Sequence, residues 1–323
     1  MLDYILFLVG FLFLVKGADL LVDGASAIAK NFKISDFIIG LTIVSLGTST
    51  PELVVNVLAS LEGSSEIAVG NIIGSNIANI LLILGISAII FPLPIKTNTI
   101  LSEIPFSLTA TILVGYVANA TLFDAEKMSI SRSDGFILLF FFFLFMSYIY
   151  KIAKAEMNSE NNDEAEKENV KKTNIGKAVL FVTLGIVALF FGGKWVVDGA
   201  IAIAESFGIS KNFIGLTIVA VGTSLPELVT SATAAYKKNT DIAVGNVIGS
   251  NIFNLLWILG ISASIRPLPF MGISNEDLMI LVGASSLIIL TMATGKKNSI
   301  DRWEGIIFVF LYVAYIGYLV IRE

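Results

Sequence analysis

Residues 22–94 return almost in register at residues 197–269, displaced by 175 positions, and each copy sets a Pro-Glu pair inside an apolar run. Gly40–Val54 reads GLTIVSLGTSTPELV, and Gly215–Val229 reads GLTIVAVGTSLPELV. Smaller pieces keep the same displacement. Val22-Asp23-Gly24-Ala25 matches Val197-Asp198-Gly199-Ala200, Gly74-Ser75-Asn76 matches Gly249-Ser250-Asn251, and Pro92-Leu93-Pro94 matches Pro267-Leu268-Pro269. A duplicated unit with a carboxylate in its apolar middle favours one central site built from both halves.

The surroundings of those carboxylates are membrane-like. Only 15% of the 323 residues are charged, 55% are hydrophobic, and the mean hydropathy is +0.85; soluble domains carry about 25% charged residues. The apolar residues run continuously and do not alternate, which points to an all-α membrane protein and away from a β-barrel. A span needs about 20 apolar residues. Ten such segments lie near 4–28, 36–60, 68–91, 100–119, 134–153, 177–203, 211–235, 243–265, 277–294 and 303–321. The N-terminus has no positive leader region, so the first segment reads as an uncleaved span.

Ten spans split five and five. An odd number per repeat makes the second half enter the membrane from the opposite side, so the halves are expected to be inverted. Residues 1–153 form the first five-helix repeat, 154–176 a polar linker too short for a folded domain, and 177–323 the second repeat. Most Lys and Arg, including Lys30, Lys33, Lys96, Lys151, Lys237 and Lys238, group on one side with the linker; Lys127, Arg132, Lys211, Arg266 and Arg322 lie on the other. The positive-inside rule then makes the linker cytoplasmic and puts both termini outside the cell membrane. Lys16 and Lys194 lie within spans, close enough to helix ends to snorkel. A weak echo pairs Asp134-Gly135 with Glu304-Gly305 at the start of each half's last helix.

Glu52 and Glu227 are the acidic residues placed at mid-depth. An ionised group there costs roughly 3 kcal/mol or more, so it faces a polar cavity with a partner or stays protonated as a structural group. Each Glu follows a proline. Pro51 and Pro226 lack an N–H, which strips the carbonyls of Gly47 and Gly222 of their helical partners. Thr48 and Ser49, and likewise Thr223 and Ser224, sit in the loosened turns. Thr48 and Glu52 share a helix face, as do Thr223 and Glu227. Further along, Asn71, Ser75 and Asn79 fall at i, i+4 and i+8, and Asn246, Ser250 and Asn254 repeat them. Asn71 and Asn246, near the helix starts, read equally well as hydrogen-bonding glue between helices. The donor set is all oxygen. With no cysteine and no histidine in the chain, thiolate and imidazole sites are excluded, and hard oxygen clusters suit Ca²⁺ and Na⁺. Asp23 and Asp198 read as caps or interfacial groups, and Phe140–Phe143 as lipid-facing bulk.

GTSTPE with GNIIGSNIAN, and GTSLPE with GNVIGSNIFN, resemble the two α-repeats of the Ca²⁺/cation antiporter superfamily, most closely its compact prokaryotic Na⁺/Ca²⁺ exchangers. The resemblance implies a ten-helix exchanger with four adjacent cation sites between spans 2, 3, 7 and 8. Carried over, the ligands are Thr48, Ser49, Glu52, Ser75, Asn79, Thr223, Ser224, Glu227, Ser250 and Asn254, with backbone carbonyls at Ser45 and Ala220. Some relatives, the K⁺-dependent exchangers among them, carry Asp where this chain has Asn254, which weakens the case for K⁺ co-transport. Ca²⁺/H⁺ relatives show Gly-Asn-x-x-Glu in place of Gly-Thr-Ser-x-Pro-Glu, which favours Na⁺ as the driving ion. The resemblance also assigns the moving part to spans 1 and 6.

The charges suggest a mechanism. Two carboxylates balance one Ca²⁺ or two Na⁺, whereas an empty pocket buries two unpaired negative charges and is expensive to close. That asymmetry disfavours unloaded transit and forces exchange. A third Na⁺ in neutral sites makes transport electrogenic. The substrates are then Ca²⁺ and Na⁺, with the lipid bilayer as surroundings. No enzymatic activity, cofactor, nucleic-acid partner or obligate protein partner is expected. The rivals are a Ca²⁺/H⁺ antiporter on the same scaffold, in which Glu52 and Glu227 titrate, and, in a different class, a passive cation channel.

Overall fold

The computed structural model describes residues 2–62, 65–119, 128–162, 174–206, 220–270, 272–292, 294 and 298–322. The chain is an all-α membrane protein. In order, its principal helices, leaving aside a short turn at Thr97–Leu101, are α1 (Leu2–Phe32), α2 (Asp36–Thr48), α3 (Thr50–Glu62), α4 (Ser65–Ile77 continuing through Ala78–Leu84 and Gly85–Ile90), α5 (Glu103–Asn119), α6 (Arg132–Asn162) and α7 (Ile175–Ser206). There follow α8 (Ala220–Thr223), α9 (Leu225–Tyr236), α10 (Thr240–Ile265), α11 (Gly272–Thr291) and α12 (Arg302–Arg322). Among the described residues, seven helices are long and apolar enough to cross a membrane, and α2 with α3, bent by 47°, make an eighth if counted as one span. The segment expected at 211–235 falls partly outside the described residues. The one expected at 277–294 is occupied by α11, which carries Glu276 and Asp277 near its start.

Two helices form the centre. In α4 and α10, 78% and 94% of the apolar stretch is buried, against 22–33% in α1, α6, α7 and α12, which face outward. Both central helices widen to a π-helical turn, at Ala78–Leu84 and Phe253–Ile258. Such turns free backbone groups locally and recur at functional sites. Outside this centre, α1 lies along α7 over most of its length. The approach depends on small residues: a Cβ on Gly17 would sit 3.0 Å from the Gly185 carbonyl oxygen. Gly10 and Gly24, one heptad away on either side, meet α7 just as closely.

The repeated Pro-Leu-Pro motifs act as clasps. Leu93–Pro94 pairs antiparallel with Ser299–Ile300, and Ser129–Ile130 with Leu268–Pro269, so each half's motif is stitched to the other half. Two strand residues are enough here, because proline cannot donate to a longer ladder. The echo between Asp134 and Glu304 is structural. The Asp134 carboxylate accepts the Ser131 N–H at 2.8 Å, and Glu304 accepts the Asp301 N–H at 2.7 Å, capping α6 and α12 in the same way.

Three expectations change. The last helix of the first half does not stop at residue 153; it runs to Asn162, through a stretch rich in good helix formers. Of the rest of the linker, 163–173 lies outside the described residues, and Ile175 already opens α7. The Phe run is not all lipid-facing: Phe140 and Phe143 are exposed, but Phe142 is buried against Phe253 and Trp257, because helical periodicity sends neighbours to different faces. Finally, Asp23 and Asp198 cap nothing, since α1 and α7 continue well beyond them. Asp23 instead meets Lys237 at 2.8 Å, and Asp198 lies 3.9 Å from Lys194. Lys16 and Lys194 themselves are exposed.

Several basic residues make polar contacts at the helix ends. Lys96 binds Asp241 at 2.6 Å, Lys237 binds Asp19 at 3.2 Å, and Asn239 donates to Asp36 at 2.6 Å, which joins three loops at one end of the molecule. Arg132 reaches the Ile265 carbonyl at the other end. Lys127, Lys211 and several linker lysines lie outside the described residues.

Candidate ion-binding site

The site begins with the two proline breaks. Because Pro51 donates nothing, α2 ends at Thr48, Ser49 turns with φ −80° and ψ 8°, and α3 leaves at the 47° bend. Ser224 takes the same bridging conformation, φ −88° and ψ 5°, between α8 and α9. Glu52 and Glu227 stand in the first turn after each break and are almost fully buried, at 1% exposure. The stretch Gly215–Val219, which leads into the second break, lies outside the described residues.

Across the centre, the halves exchange hydrogen bonds in matched pairs. Ser49 Oγ donates to Glu227 Oε1 at 2.9 Å, and Ser224 Oγ donates to Glu52 Oε1 at 3.5 Å. Thr48 Oγ1 faces Asn246 Oδ1 at 3.1 Å, and Thr223 Oγ1 faces Asn71 Oδ1 at 3.3 Å. Asn76 Nδ2 donates to the Asn251 carbonyl at 3.2 Å, and Asn251 Nδ2 returns the bond to the Asn76 carbonyl at 3.5 Å. Asn79 Nδ2 donates to Asn251 Oδ1 at 3.0 Å, and Asn254 Nδ2 to Asn76 Oδ1 at 2.9 Å. Residue i bonding j′ while j bonds i′ is the signature of a two-fold relation. Each carboxylate is therefore held by the loosened turn of the opposite half, and the two acids come within Coulombic reach of each other.

What these bonds leave over is the chemistry of the site. Glu52 Oε2, Ser75 Oγ and Asn79 Oδ1, and their counterparts Glu227 Oε2, Ser250 Oγ and Asn254 Oδ1, are buried side-chain oxygens without any hydrogen-bond partner. Native interiors hold few such groups, and each asks for an explanation. Six of them, three from each half, are two carboxylate oxygens, two amide oxygens and two serine hydroxyls, an all-oxygen set in which only the hydroxyls can donate. Glycine brings the walls together: a Cβ on Gly249 would lie 2.5 Å from the Leu41 carbonyl oxygen and 2.6 Å from Ser45 Oγ, so α10 rests directly on α2 and carries Ser250 inward.

The remaining candidates are more engaged. The Ser45 carbonyl already accepts the Ser49 N–H at 2.9 Å and lies 3.3 Å from Thr48 Oγ1, while Ser45 Oγ donates to the Leu41 carbonyl at 2.8 Å. A carbonyl has two lone pairs, so one face of Ser45 O is taken by the helix. Ala220, the matching position, opens α8. Asn246 is tied by Nδ2 to Ser231 Oγ at 2.9 Å, which makes it a brace between helices. Sequence reasoning assigned no role to Asn76 and Asn251, although both stand in the repeated Gly-Ser-Asn. The structure places them at the centre of the two-fold contact. Their signal was the shared 175-residue displacement.

The family follows from this arrangement and from comparison with known proteins. A family model described as sodium/calcium exchanger protein matches residues 2–151 and 177–321, one stretch for each half. The chain belongs to the sodium/calcium exchanger family. Among its relatives in that family, the putative antiporter CaxA of Alkalimonas amylolytica is 39% identical over 314 residues, covering 96% of this chain and 95% of that protein. The sodium/calcium exchanger MaX1 of Methanosarcina acetivorans is 34% identical over 345 residues, covering 97% of both chains. The inner membrane protein YrbG of Escherichia coli is 37% identical over 321 residues, covering 97% of this chain and 95% of that one. Among solved exchanger structures, the sodium-calcium exchanger NCX_Mj soaked with 2.5 mM Na⁺ and 0.1 mM Ca²⁺ superposes with a TM-score of 0.80 at 34% identity, covering 98% of both chains.

Proposed function

We propose that this exchanger is a secondary active antiporter that moves Na⁺ against Ca²⁺ across the cell membrane by alternating access. Its ten spans form two inverted five-span repeats, with both termini outside and the linker in the cytoplasm. The ions bind at mid-membrane between the broken spans α2–α3 and α8–α9 and the central helices α4 and α10. Glu52 and Glu227 supply the charge. Thr48, Ser49, Ser75, Asn79, Thr223, Ser224, Ser250 and Asn254, with the carbonyls of Ser45 and Ala220, supply neutral oxygens.

The observation that carries this reading is the set of six unpartnered buried oxygens, matched three to three across the two-fold contact. Buried oxygens left without a donor are completed by a cation, and oxygen ligands of this kind suit Na⁺ and Ca²⁺. The charge count then dictates exchange. One Ca²⁺ or two Na⁺ neutralise the two carboxylates, and the loaded pocket closes at low cost; the empty one buries two like charges and does not. Asn79 and Asn254 add no further charge, so the count stays at two. A third Na⁺ leaves the Na⁺-loaded form charged and makes transport electrogenic. The relatives' names support the ion pair, since MaX1 is a sodium/calcium exchanger and NCX_Mj was soaked in both ions.

The test is ⁴⁵Ca²⁺ uptake into proteoliposomes driven in turn by Na⁺, K⁺ and H⁺ gradients. Uptake is expected with Na⁺ alone, and loss of uptake on Glu52→Gln or Glu227→Gln, by about 100-fold or more for a broken buried charge pairing. Uptake driven by a pH gradient without Na⁺ would replace this reading with Ca²⁺/H⁺ antiport. Single-channel current steps would replace it with a channel.

A further inference from the structure

Beyond the central cluster, α3 continues as a ladder of buried oxygens. Glu52, Asn56 and Ser60 fall at i, i+4 and i+8 on one helix face, and all are at most 1% exposed. Asn56 Nδ2 donates to the Glu52 carbonyl at 2.7 Å, which ties the rung to the site below it. Asn56 Oδ1 and Ser60 Oγ have no partner. Serine and threonine in membrane helices usually bond back to the carbonyl four residues earlier, as Thr42, Thr50 and Thr109 do here. Ser60 does not. On the stretch of α10 that packs against α3, Ser262 Oγ is also buried and unpartnered.

The second half does not repeat the ladder. The positions matching Asn56 and Ser60 are Ser231 and Ala235. Ser231 Oγ is occupied by Asn246, and Ala235 offers no oxygen. There, one free hydroxyl follows Glu227, that of Thr230, with Ser87 on the stretch of α4 facing α9. Each ladder step rises about 6 Å along the helix. Ser60 therefore stands about 12 Å from Glu52, most of the way across half of a hydrocarbon core about 30 Å thick.

We infer that Asn56 Oδ1 and Ser60 Oγ form a waiting site for Na⁺ on the α3 side of the central pocket, between Glu52 and the outer face. This rests on the exchange reading and extends it. An amide and a hydroxyl oxygen carry no charge of their own, and Glu52 stands one helical turn from Asn56. Such a site suits a monovalent ion that sheds water readily. Ca²⁺ takes six to eight oxygens, carboxylates among them, and passes without stopping. The side lacking the ladder takes up Na⁺ without this step, so the two faces differ in apparent Na⁺ affinity.

The test uses right-side-out and inside-out membrane vesicles with Na⁺-coupled ⁴⁵Ca²⁺ flux as the readout. Asn56→Ser combined with Ser60→Ala gives α3 the residues of α9. Its half-saturating Na⁺ is expected to rise about three- to ten-fold when Na⁺ is presented at the outer face, with no change at the inner face and none in half-saturating Ca²⁺. Ser60→Ala alone keeps the Asn56 brace and is expected to show a smaller shift on the same side. An equal shift at both faces would mean that Asn56 only props the Glu52 backbone. No shift at either face would mean that the ladder holds no ion. Either result overturns the inference while leaving exchange intact. A wild-type protein without Na⁺-dependent flux would overturn both.

Discussion

The two halves match in their central oxygens but not in their surroundings. Glu52 and Glu227, Ser75 and Ser250, and Asn79 and Asn254 are chemically identical pairs, and each pair leaves the same atom unpartnered. Within two turns the likeness fails: Asn56 corresponds to Ser231, Ser60 to Ala235 and Ser45 to Ala220. The outer helices differ more. Tyr148 donates to Glu103 at 2.9 Å in the first half, whereas Arg322 grips Asp277 through two bonds of 3.1 Å in the second. The matched bonds across the centre join identical residues, whereas the positions flanking them differ. The flanks are free to differ, and they decide how each face of the membrane is approached.

The comparison breaks most sharply at the carboxylates. Because each is held by the other half's serine, Glu52→Gln and Glu227→Gln are expected to fail alike in Na⁺-driven uptake. One variant retaining near-normal flux would mean that a single carboxylate suffices. Next come Asn76→Ala and Asn251→Ala. Each removes a donor to the opposite backbone and an acceptor for the opposite Asn254 or Asn79. Each is expected to cost about 1–3 kcal/mol, read as a lower Tm in detergent, with the two values close together. Markedly unequal losses would show that the central contact is not two-fold in energy. A smaller contrast is expected at the serines. Ser49 lies 2.9 Å from Glu227, but Ser224 lies 3.5 Å from Glu52. Ser49→Ala is therefore expected to raise half-saturating Na⁺ more than Ser224→Ala does; the reverse order in flux assays would count against the asymmetry. The smallest effect belongs to Lys237→Ala. The ion pairs to Asp19 and Asp23 lie at an exposed end, and their loss is expected to cost under about 1 kcal/mol and to vanish in high salt.

Much of the site could be read from the chain because repetition marks what symmetry uses. The Pro-Glu pairs, the loosened turns and the Asn/Ser stripe were all visible as matched residues in apolar surroundings. The all-helical membrane fold followed from composition. What escaped reading was long-range. Asn76 and Asn251 look like any helical asparagine until their bonds across the centre are seen. Pro-Leu-Pro is an unremarkable loop motif until its strand partner arrives from a distant part of the chain, Ile300 for Leu93 and Ile130 for Leu268. The heptad of Gly10, Gly17 and Gly24 is a scatter of small residues until α7 lies against it. Phe142 could not be separated from Phe143 by hydropathy, only by which face was buried against Phe253.

The sequence by itself determined that two buried acids exist, that each follows a helix break, and that both stand among neutral oxygens. These are local consequences of proline's missing donor and of periodicity along one helix, and no partner is needed to derive them. Only the tertiary structure decided that each acid meets the serine of the opposite half and which oxygens remain unpaired. A hydrogen-bond acceptor is free or engaged according to what the other half presents to it, and that depends on packing across 175 residues of chain.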